Sequence, residues 1–353
     1  SRGLGDVYKR QAMNNEISTK NPLGEKPVNS LLYQFAVPSI IAMLVSSLYN
    51  IVDQFFIGRS VGALGNAATN ISFPLSISCV AIALLFGIGG ASAFNIAMGM
   101  GEKENAVNYL ANSAAMLFLG GVALTAVTLI FLEPLLKFFG SPDNVLKYAK
   151  VYTRIVALGF PFLIFTSGGG HLIRADGRPK ISMVCNLAGA LINTVLDALF
   201  VFVLNMGMAG AAYATIIGQI VSGLMAAWYL AHCRTIKIKK ENLRVRWKYI
   251  SRVMSLGTAP CANQLAMMVV QIVMNKSLKY CGSLSVYGES IPIACAGIIT
   301  KVNQVFMSFI IGISQGLQPI TSFNYGAGRY GRVRSAYRSA VACGAVLAVI
   351  AFI

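Results

Sequence analysis

Long apolar stretches recur along the chain and constrain its fold more than any other feature of the sequence. A helix that crosses the hydrocarbon core of a membrane needs about 20 mostly apolar residues. Stretches of this kind occur nine times, at about residues 31–56, 67–98, 107–131, 146–168, 180–204, 210–232, 249–278, 288–322 and 333–353. Because backbone groups in lipid must be satisfied within their own segment, the stretches predict nine membrane-spanning helices.

The low content of charged residues agrees with a membrane location. Charged residues make up 12% of the 353 residues and hydrophobic residues 56%, whereas a soluble chain carries about 25% charged residues. The net charge of +17 would suit a nucleic-acid-binding protein. The basic residues, however, lie between the apolar stretches, which is the pattern of membrane topology. We therefore predict an all-α polytopic protein whose partner is the lipid bilayer and not nucleic acid.

The basic residues also predict an orientation. One set of loops is rich in them and holds Lys103, Arg174, Arg178, Lys180, the run from Arg234 to Arg252, Arg329, Arg332, Arg334 and Arg338. The opposite loops hold fewer, namely Arg59, Lys137, Lys147, Lys150, Lys276 and Lys279. Loops rich in Lys and Arg face the cytoplasm. We expect a multi-pass protein of the cytoplasmic (inner) membrane, with its amino terminus inside.

The order of these segments suggests a domain organisation. In residues 1–27, the stretch before Met13 resembles translated adapter sequence, and a polar tail that we expect to be cytoplasmic follows it. We expect an amino-terminal six-helix lobe at 28–232, a basic cytoplasmic linker at 233–248, and an incomplete three-helix carboxy-terminal lobe at 249–353. The linker is expected to contact anionic lipid. Because the sequence stops inside an apolar run, a longer parent protein is expected.

A weak internal repeat relates the two halves. When Pro38 is aligned with Pro260, Asp53 falls on Asn275, and the members of each pair are 15 positions apart. Gly-rich runs later in each half also align, so the period is about 222 to 227 residues. Duplicated halves are common in secondary transporters. A period of this length predicts six spans per half and about twelve in the complete protein.

Two carboxylates, Asp53 and Asp197, lie deep inside apolar spans, where ionisable groups are functional candidates by default. Both belong to polar stripes at helical spacing, formed by Ser46, Asn50 and Asp53 in the first span and by Asn186, Asn193 and Asp197 in the fifth. Together the stripes predict a shared internal cavity. An acid in such a cavity could exchange a proton near neutral pH. Alternatively, Na⁺ could bind the oxygens of Asp53, Asn193, Asp197 and Thr215, or the acids could simply bond neighbouring helices.

For other polar residues inside the spans, the sequence pattern does not determine the role. The second half has a stripe of Gln264, Gln271 and Asn275 without an acid. Lys301, inside the eighth span, could neutralise a carboxylate or extend to an interface. Ser167 and His171 lie at the end of one span and do not form a convincing catalytic pair, so we predict that the protein is not an enzyme. No cofactor is expected, and the cysteines are interpreted as packing residues.

Three runs of sequence resemble the multidrug and toxic compound extrusion (MATE) family. They are DQFFIGRSVGALGNAA, which begins at Asp53, IRADGRPKISMVCNLAGALINTVLDALFVF, which begins at Ile173, and GISQGLQPITSFNYGAGRYGRVRSA, which begins at Gly312. The third is similar to the family's eighth-span signature. The resemblance covers residues 28–353 and points to the bacterial and archaeal, DinF/MepA-like branch.

The resemblance implies a two-lobe bundle of twelve helices around a V-shaped cleft, of which about nine are present here. It implies a monomeric secondary antiporter that exports cationic or amphipathic organic compounds against H⁺ or Na⁺ by rocker-switch alternating access. The ion-coupling residues that it implies are Asp53, Asn193, Asp197, Thr215 and Tyr152. Pro38 corresponds to a proposed bend in the first span, and the substrate cleft is expected to include Asn50, Gln54, Gln271 and Asn275.

Three other functions agree less well with the sequence than export does. A flippase for lipid-linked precursors, from the related superfamily, would need several basic residues in its cleft to bind pyrophosphate. The spans carry little of this kind beyond Lys301 and Arg154. A receptor is disfavoured by the number of spans and the repeat, and a membrane enzyme by the lack of a catalytic cluster. The sequence identifies neither the substrate nor the coupling ion.

Overall fold

The fold is given by a computed structural model that describes residues 21–141, 143–233, 235–236, 240–286 and 290–352. Within these ranges the secondary structure is helical and contains no strand. Most of the predicted leader lies outside the described residues. The side chains of Asn275 and Lys301 also lie outside them, so the roles predicted for these two residues are not addressed by the structure.

Twelve α-helices are described. They are α1 (Pro22–Glu25), α2 (Val28–Ser60), α3 (Ala63–Gly99), α4 (Lys103–Ile130), α5 (Leu132–Phe138), α6 (Asp143–Ala157), α7 (Phe160–Ala175), α8 (Pro179–Asp197), α9 (Gly207–Ala231), α10 (Trp247–Ser283), α11 (Ser290–Gly326) and α12 (Tyr330–Phe352). A π-helical turn, Ala198–Val203, continues α8, and a 3₁₀ turn, Lys240–Leu243, precedes α10.

Helices long and apolar enough to span a membrane account for most of the described chain. Seven single helices meet this condition by length and composition, and the bent pair α6 and α7 would make an eighth. The helix α11, with 37 residues, occupies the predicted eighth span but is not among those that meet the condition. A helical segment therefore occurs at each of the nine predicted positions, and the all-α polytopic fold is confirmed.

The fourth predicted span differs from the sequence prediction. Residues 146–168 were expected to form one helix, but α6 and α7 meet at a bend of 57°. Pro161 lies in the first turn of α7, where its missing N–H has no helical partner to lose. A Cβ at Gly159 would lie 2.4 Å from Oε1 of Gln219 on α9, so glycine permits close packing at the bend. The helix α7 then continues to Ala175, which places Arg174 inside a helix rather than in a loop.

The two halves of the chain pack against each other through glycines. A Cβ at Gly257 of α10 would lie 1.9 Å from the carbonyl oxygen of Leu85 on α3. A Cβ at Gly312 of α11 would lie 2.6 Å from Cα of Ile40 on α2. The first long helix of each half thus contacts the second long helix of the other half. Small residues at such crossings let helix backbones approach closely.

The contact between α3 and α11 is reciprocal. A Cβ at Gly99 would lie 2.2 Å from the carbonyl oxygen of Phe323, and one at Gly326 would lie 2.2 Å from that of Ile96. Gly326 follows Gly99 by 227 residues, and Phe323 follows Ile96 by the same 227 residues. A two-fold relation between the halves requires pairs of this kind. These contacts all lie toward the helix ends that join the basic loops.

The segment from Asn21 to Lys26, which we call the amino-terminal strap, crosses to the second half at the same end of the bundle. Its backbone carbonyls accept hydrogen bonds from Asn324 to Leu23 at 3.0 Å, from Arg329 to Gly24 at 2.7 Å and from Arg332 to Lys26 at 2.6 Å. The side chain of Leu23 is buried. The strap therefore fixes the start of the first half to the end of α11 and the start of α12.

Candidate coupling site

The two acids predicted from the polar stripes lie side by side. Asp53 is half-buried on α2, and Asp197 is the last residue of α8, with 0% of its surface exposed. Their carboxyl groups lie close enough to interact electrostatically. The helices α2 and α8 pack along one another, which brings the two stripes to a common interior position.

Three of the four carboxyl oxygens of this pair lack a hydrogen-bond partner. Oδ1 of Asp53 and both carboxylate oxygens of Asp197 are buried without a hydrogen-bond partner. Two ionised carboxylates carry like charges and repel each other at close range. Neither can donate a hydrogen bond to the other, because both are acceptors only. A proton on either group would provide a donor, and a bound cation would neutralise the pair. The geometry therefore fits the binding of H⁺ or a small hard cation.

Neutral oxygens extend the site toward α9. Asn193, one turn before Asp197, donates from Nδ2 to Oγ1 of Thr215 at 3.4 Å. The Thr215 hydroxyl donates in turn to the carbonyl oxygen of Ala211 at 2.9 Å. Oδ1 of Asn193 is buried without a partner. Carboxylate, amide and hydroxyl oxygens are the ligands that hard cations prefer, so the donor set suits Na⁺ as well as a proton.

Two tyrosines complete the surroundings of the acid pair. Tyr152 on α6, expected from the resemblance, reaches Thr215 and lies near both acids. Tyr49 on α2 also lies near Asp53 and Asp197, and it was not predicted. Its position one helical turn before Asp53 was the available signal, since residues four apart share a helix face.

The helix that carries Asp197 changes form at the site. The α-helical hydrogen bonding of α8 ends at Asp197, and the π-helical turn Ala198–Val203 follows directly. Single π-helical turns are rare and occur frequently at functional sites. Leu204 then donates its backbone N–H to the carbonyl oxygen of Leu199 at 3.0 Å.

A small polar cavity adjoins the site on the side of the basic loops. Its volume is about 80 Å³, and its lining includes Asn193, Thr215, Gln219, Ser222, Asn186 and Ser167. A space of this size is large enough to hold water molecules. Oε1 of Gln219 is buried without a partner. Unpaired oxygens therefore continue from the acid pair along this cavity into the interior of the first half.

The predicted cleft residues lie on two helices. Asn50 is exposed on α2 and donates to the carbonyl oxygen of Ser46 at 2.8 Å. Gln54 on α2 and Gln271 on α10 are half-buried. Their contact with a substrate stays a prediction. Pro38 is buried within a continuous α2, 15 residues from Asp53, which is about 22 Å along a helix.

Further charged residues lie away from the acid pair. Glu133 on the short helix α5 forms ion pairs with Lys150 and with Lys137, the latter at 2.9 Å. The hydrogen bonds from these lysines lower the pKa of Glu133 to about 2. Arg154, considered above for a pyrophosphate site, is exposed on α6. Among the described residues no cluster of three or more His, Cys, Asp or Glu side chains suits a transition metal.

Comparison with known proteins identifies similar sequences and folds. The MatE family profile matches residues 38–199 and 261–353. The multidrug export protein MepA of Staphylococcus aureus strain MSSA476 is 24% identical over 334 residues, which cover 93% of this chain and 71% of MepA. MepA of Staphylococcus haemolyticus strain JCSC1435 is 25% identical, with 85% of this chain and 65% of that protein covered.

A solved structure shares the fold. It is that of a MOP superfamily transporter from Pyrococcus furiosus, which is 24% identical to this chain. The TM-score is 0.85, and the match covers 94% of this chain and 73% of that protein. The helical arrangement described above is therefore similar to that of a known transporter.

Proposed function

Because the chain belongs to the MatE family of multidrug efflux transporters, we propose that it exports organic cations or amphipathic compounds in exchange for H⁺ or Na⁺. In this proposal Asp53 and Asp197 bind the coupling ion, while Asn193, Thr215 and Tyr152 complete its site. The protein acts as a monomer in the cytoplasmic membrane with its amino terminus inside. The division into an amino-terminal six-helix lobe at 28–232, a basic linker at 233–248 and an incomplete three-helix lobe at 249–353 belongs to the same proposal.

The observation that carries the proposal is the proximity of Asp53 and Asp197, three of whose carboxyl oxygens are buried without a hydrogen-bond partner. Ionisation of both groups without a cation leaves adjacent negative charges in a poorly hydrated interior, which is costly. Binding of one proton or one Na⁺ removes most of this cost. The free energy of ion binding is therefore large enough to influence the conformation of the surrounding helices.

The helix α2 connects this site to the packing between the halves. Its first part contacts α11 near Ile40 and Gly312, and its later part carries Asp53. Pro38 leaves the carbonyl of Gln34 without its usual helical partner, which favours bending there. We propose that ion binding at Asp53 changes the bend of α2 and thereby the contact of the halves. Export follows if ion and substrate differ in affinity between the two orientations.

Transport in proteoliposomes tests the proposal. A fluorescent organic cation is followed while a pH gradient and a Na⁺ gradient are imposed separately, so that each coupling ion is tested alone. Asp53→Asn and Asp197→Asn should each reduce gradient-driven transport by about tenfold or more, because each removes an ionisable partner from the pair. Glu104→Gln, which changes an exposed acid in the first turn of α4, should transport like the wild type.

The two arms also define the contradicting result. A response to only one gradient would identify the coupling ion. Undiminished gradient-driven transport by Asp53→Asn, with the protein folded and correctly inserted, would remove the acid pair from the mechanism.

A further inference from the structure

The guanidinium of Arg174 is buried without a counter-charge. Arg174 is 3% exposed near the end of α7, and among the described residues no carboxylate lies within 4.0 Å of it. Its Nη1 donates to Oγ of Ser182 on α8 at 2.8 Å, and its Nε has no partner. The buried ring of His171 lies nearby on the same helix. A buried charge that is not paired is costly to maintain and indicates a function.

A line of polar side chains on α8 connects Arg174 with the acid pair. Ser182, Asn186, Asn193 and Asp197 are separated by 4, 7 and 4 residues. At about 100° per residue these four positions fall within about 60° of one another, so they share one helix face. They extend about 22 Å along the axis. Ser182, which binds Arg174, is the first member of the line, and Asp197 is the last.

The small cavity fills the middle of this line. Asn186, Asn193 and Ser222 contribute to its lining, together with Gln219 of α9. The unpaired Oδ1 of Asn193 and Oε1 of Gln219 are acceptors that water could satisfy. Water molecules in the cavity would join the coupling site to the polar groups below it. The line therefore contains acceptors at the acid pair and a fixed positive charge at the loop end.

From this arrangement we propose that the interior of the first half contains a route for the coupling ion between Asp197 and the loop side, and that Arg174 is its electrostatic barrier. The inference rests on the proposed function, because it concerns the ion bound by the acid pair. Fixed positive charges exclude protons and cations from other membrane pores in this way. Arg174 keeps the ion from leaking past the acid pair when no substrate is exchanged.

The size of the effect follows from simple electrostatics. A cation that passes about 6 Å from a fixed unit charge, at an effective dielectric constant of about 20, meets a barrier equivalent to about a hundredfold in rate. Loss of the charge should therefore accelerate passive ion movement by about tenfold to a hundredfold. Lysine keeps the charge and should keep most of the barrier. Glutamine keeps hydrogen-bonding capacity but not the charge.

An ion-leak measurement without substrate tests this proposal. The full chain is reconstituted in liposomes that contain a pH-sensitive dye, or a Na⁺-sensitive dye in a second arm, and an inside-negative potential is imposed. Arg174→Gln should admit the coupling ion about tenfold faster or more, whereas wild type and Arg174→Lys should remain tight. Arg178→Gln is the matched control, since it removes an exposed arginine four residues away.

A double variant shows whether the leak uses the proposed route. Arg174→Gln combined with Asp197→Asn should be tight again, because the route begins at the acid pair. A tight Arg174→Gln, or a leak that persists in the double variant, would overturn the proposal. Neither result depends on substrate export, so failure here is distinguishable from failure of the proposed function.

A cavity-filling variant keeps the proposal testable if Arg174→Gln does not fold. Ala190 lines the cavity and is 7% exposed. Ala190→Leu should occupy the space needed by water and slow substrate-coupled ion movement by about tenfold or more. Unchanged coupled ion movement in a folded Ala190→Leu protein would contradict an interior route.

Discussion

Replacement of Gly257 by alanine should shift the protein away from the arrangement in which its two halves are packed together. The new Cβ would lie 1.9 Å from the carbonyl oxygen of Leu85 and 2.9 Å from its Cα. Ordinary contact begins at about 3.4 Å, so α10 and α3 must separate by about 1.5 Å at this point. Overpacking of this kind costs about 1–3 kcal/mol. The population of the packed arrangement should therefore fall by a factor of about 5 to 150 relative to any arrangement in which these helices are separated.

The separation can be measured directly. Spin labels at the exposed positions Lys103 and Arg334, near the loop ends of the two halves, report the distance between them by pulsed electron paramagnetic resonance. Gly257→Ala should increase the population of longer distances and reduce transport. Gly344→Ala is the matched control, because no heavy atom lies within 4 Å of its added Cβ. Wild-type distances and transport in Gly257→Ala would refute the assignment of this contact as essential to the packed state.

Three further outcomes are expected. Tyr49→Phe removes a hydroxyl near the acid pair and should raise the ion concentration for half-maximal transport by about threefold to tenfold. The same change at the exposed Tyr213 is the control and should leave this concentration unchanged. A titration of transport against ion concentration measures both. Burial, together with a neighbouring carboxylate, raises the pKa of the Cys233 thiol to about 12. Cys233 should therefore resist maleimide at pH 7 to 8 while exposed Cys281 reacts, as mass spectrometry of labelled protein would show. Because the folded pKa of Glu133 is lowered, its contribution to stability is present above about pH 4.5 and is lost as the pH falls toward 2. Melting curves of wild type and Glu133→Gln should therefore differ most above about pH 4.5 and converge as the pH approaches 2.

The sequence was sufficient to predict the pairing of Asp53 with Asp197. Each acid belongs to a stripe at helical spacing, and acids in apolar spans face the bundle interior because lipid contact is costly. The positions of the spans were predictable for the same reason, since apolar length is a property of the chain itself. The predicted function depended in addition on the family resemblance, because polar stripes alone are compatible with several classes of membrane protein.

Other features depended on contacts between distant segments and were not predictable. The bend at Gly159 lies where Gln219 of another helix packs closely, and hydropathy carries no information on such contacts, so it predicted one continuous span. That error placed Arg174 in a loop, where a basic residue is explained by topology and attracts no functional hypothesis. Tyr49 was overlooked because a single aromatic residue in an apolar span usually contributes only to packing. Its proximity to the acids became evident only from the packing of α2 against α8.

The amino-terminal strap has a consequence for how this protein can be altered. The second half recognises the strap through its main-chain oxygens, and the exposed Lys26 takes part through its carbonyl rather than its ammonium group. Side-chain replacement at this position therefore leaves the attachment intact, whereas an insertion or a deletion of one residue would shift the register of every carbonyl. A fusion partner joined closely before Asn21 would disturb the hydrogen bonds by which the strap connects the halves. A long flexible spacer is therefore the better choice for tagged versions of the protein.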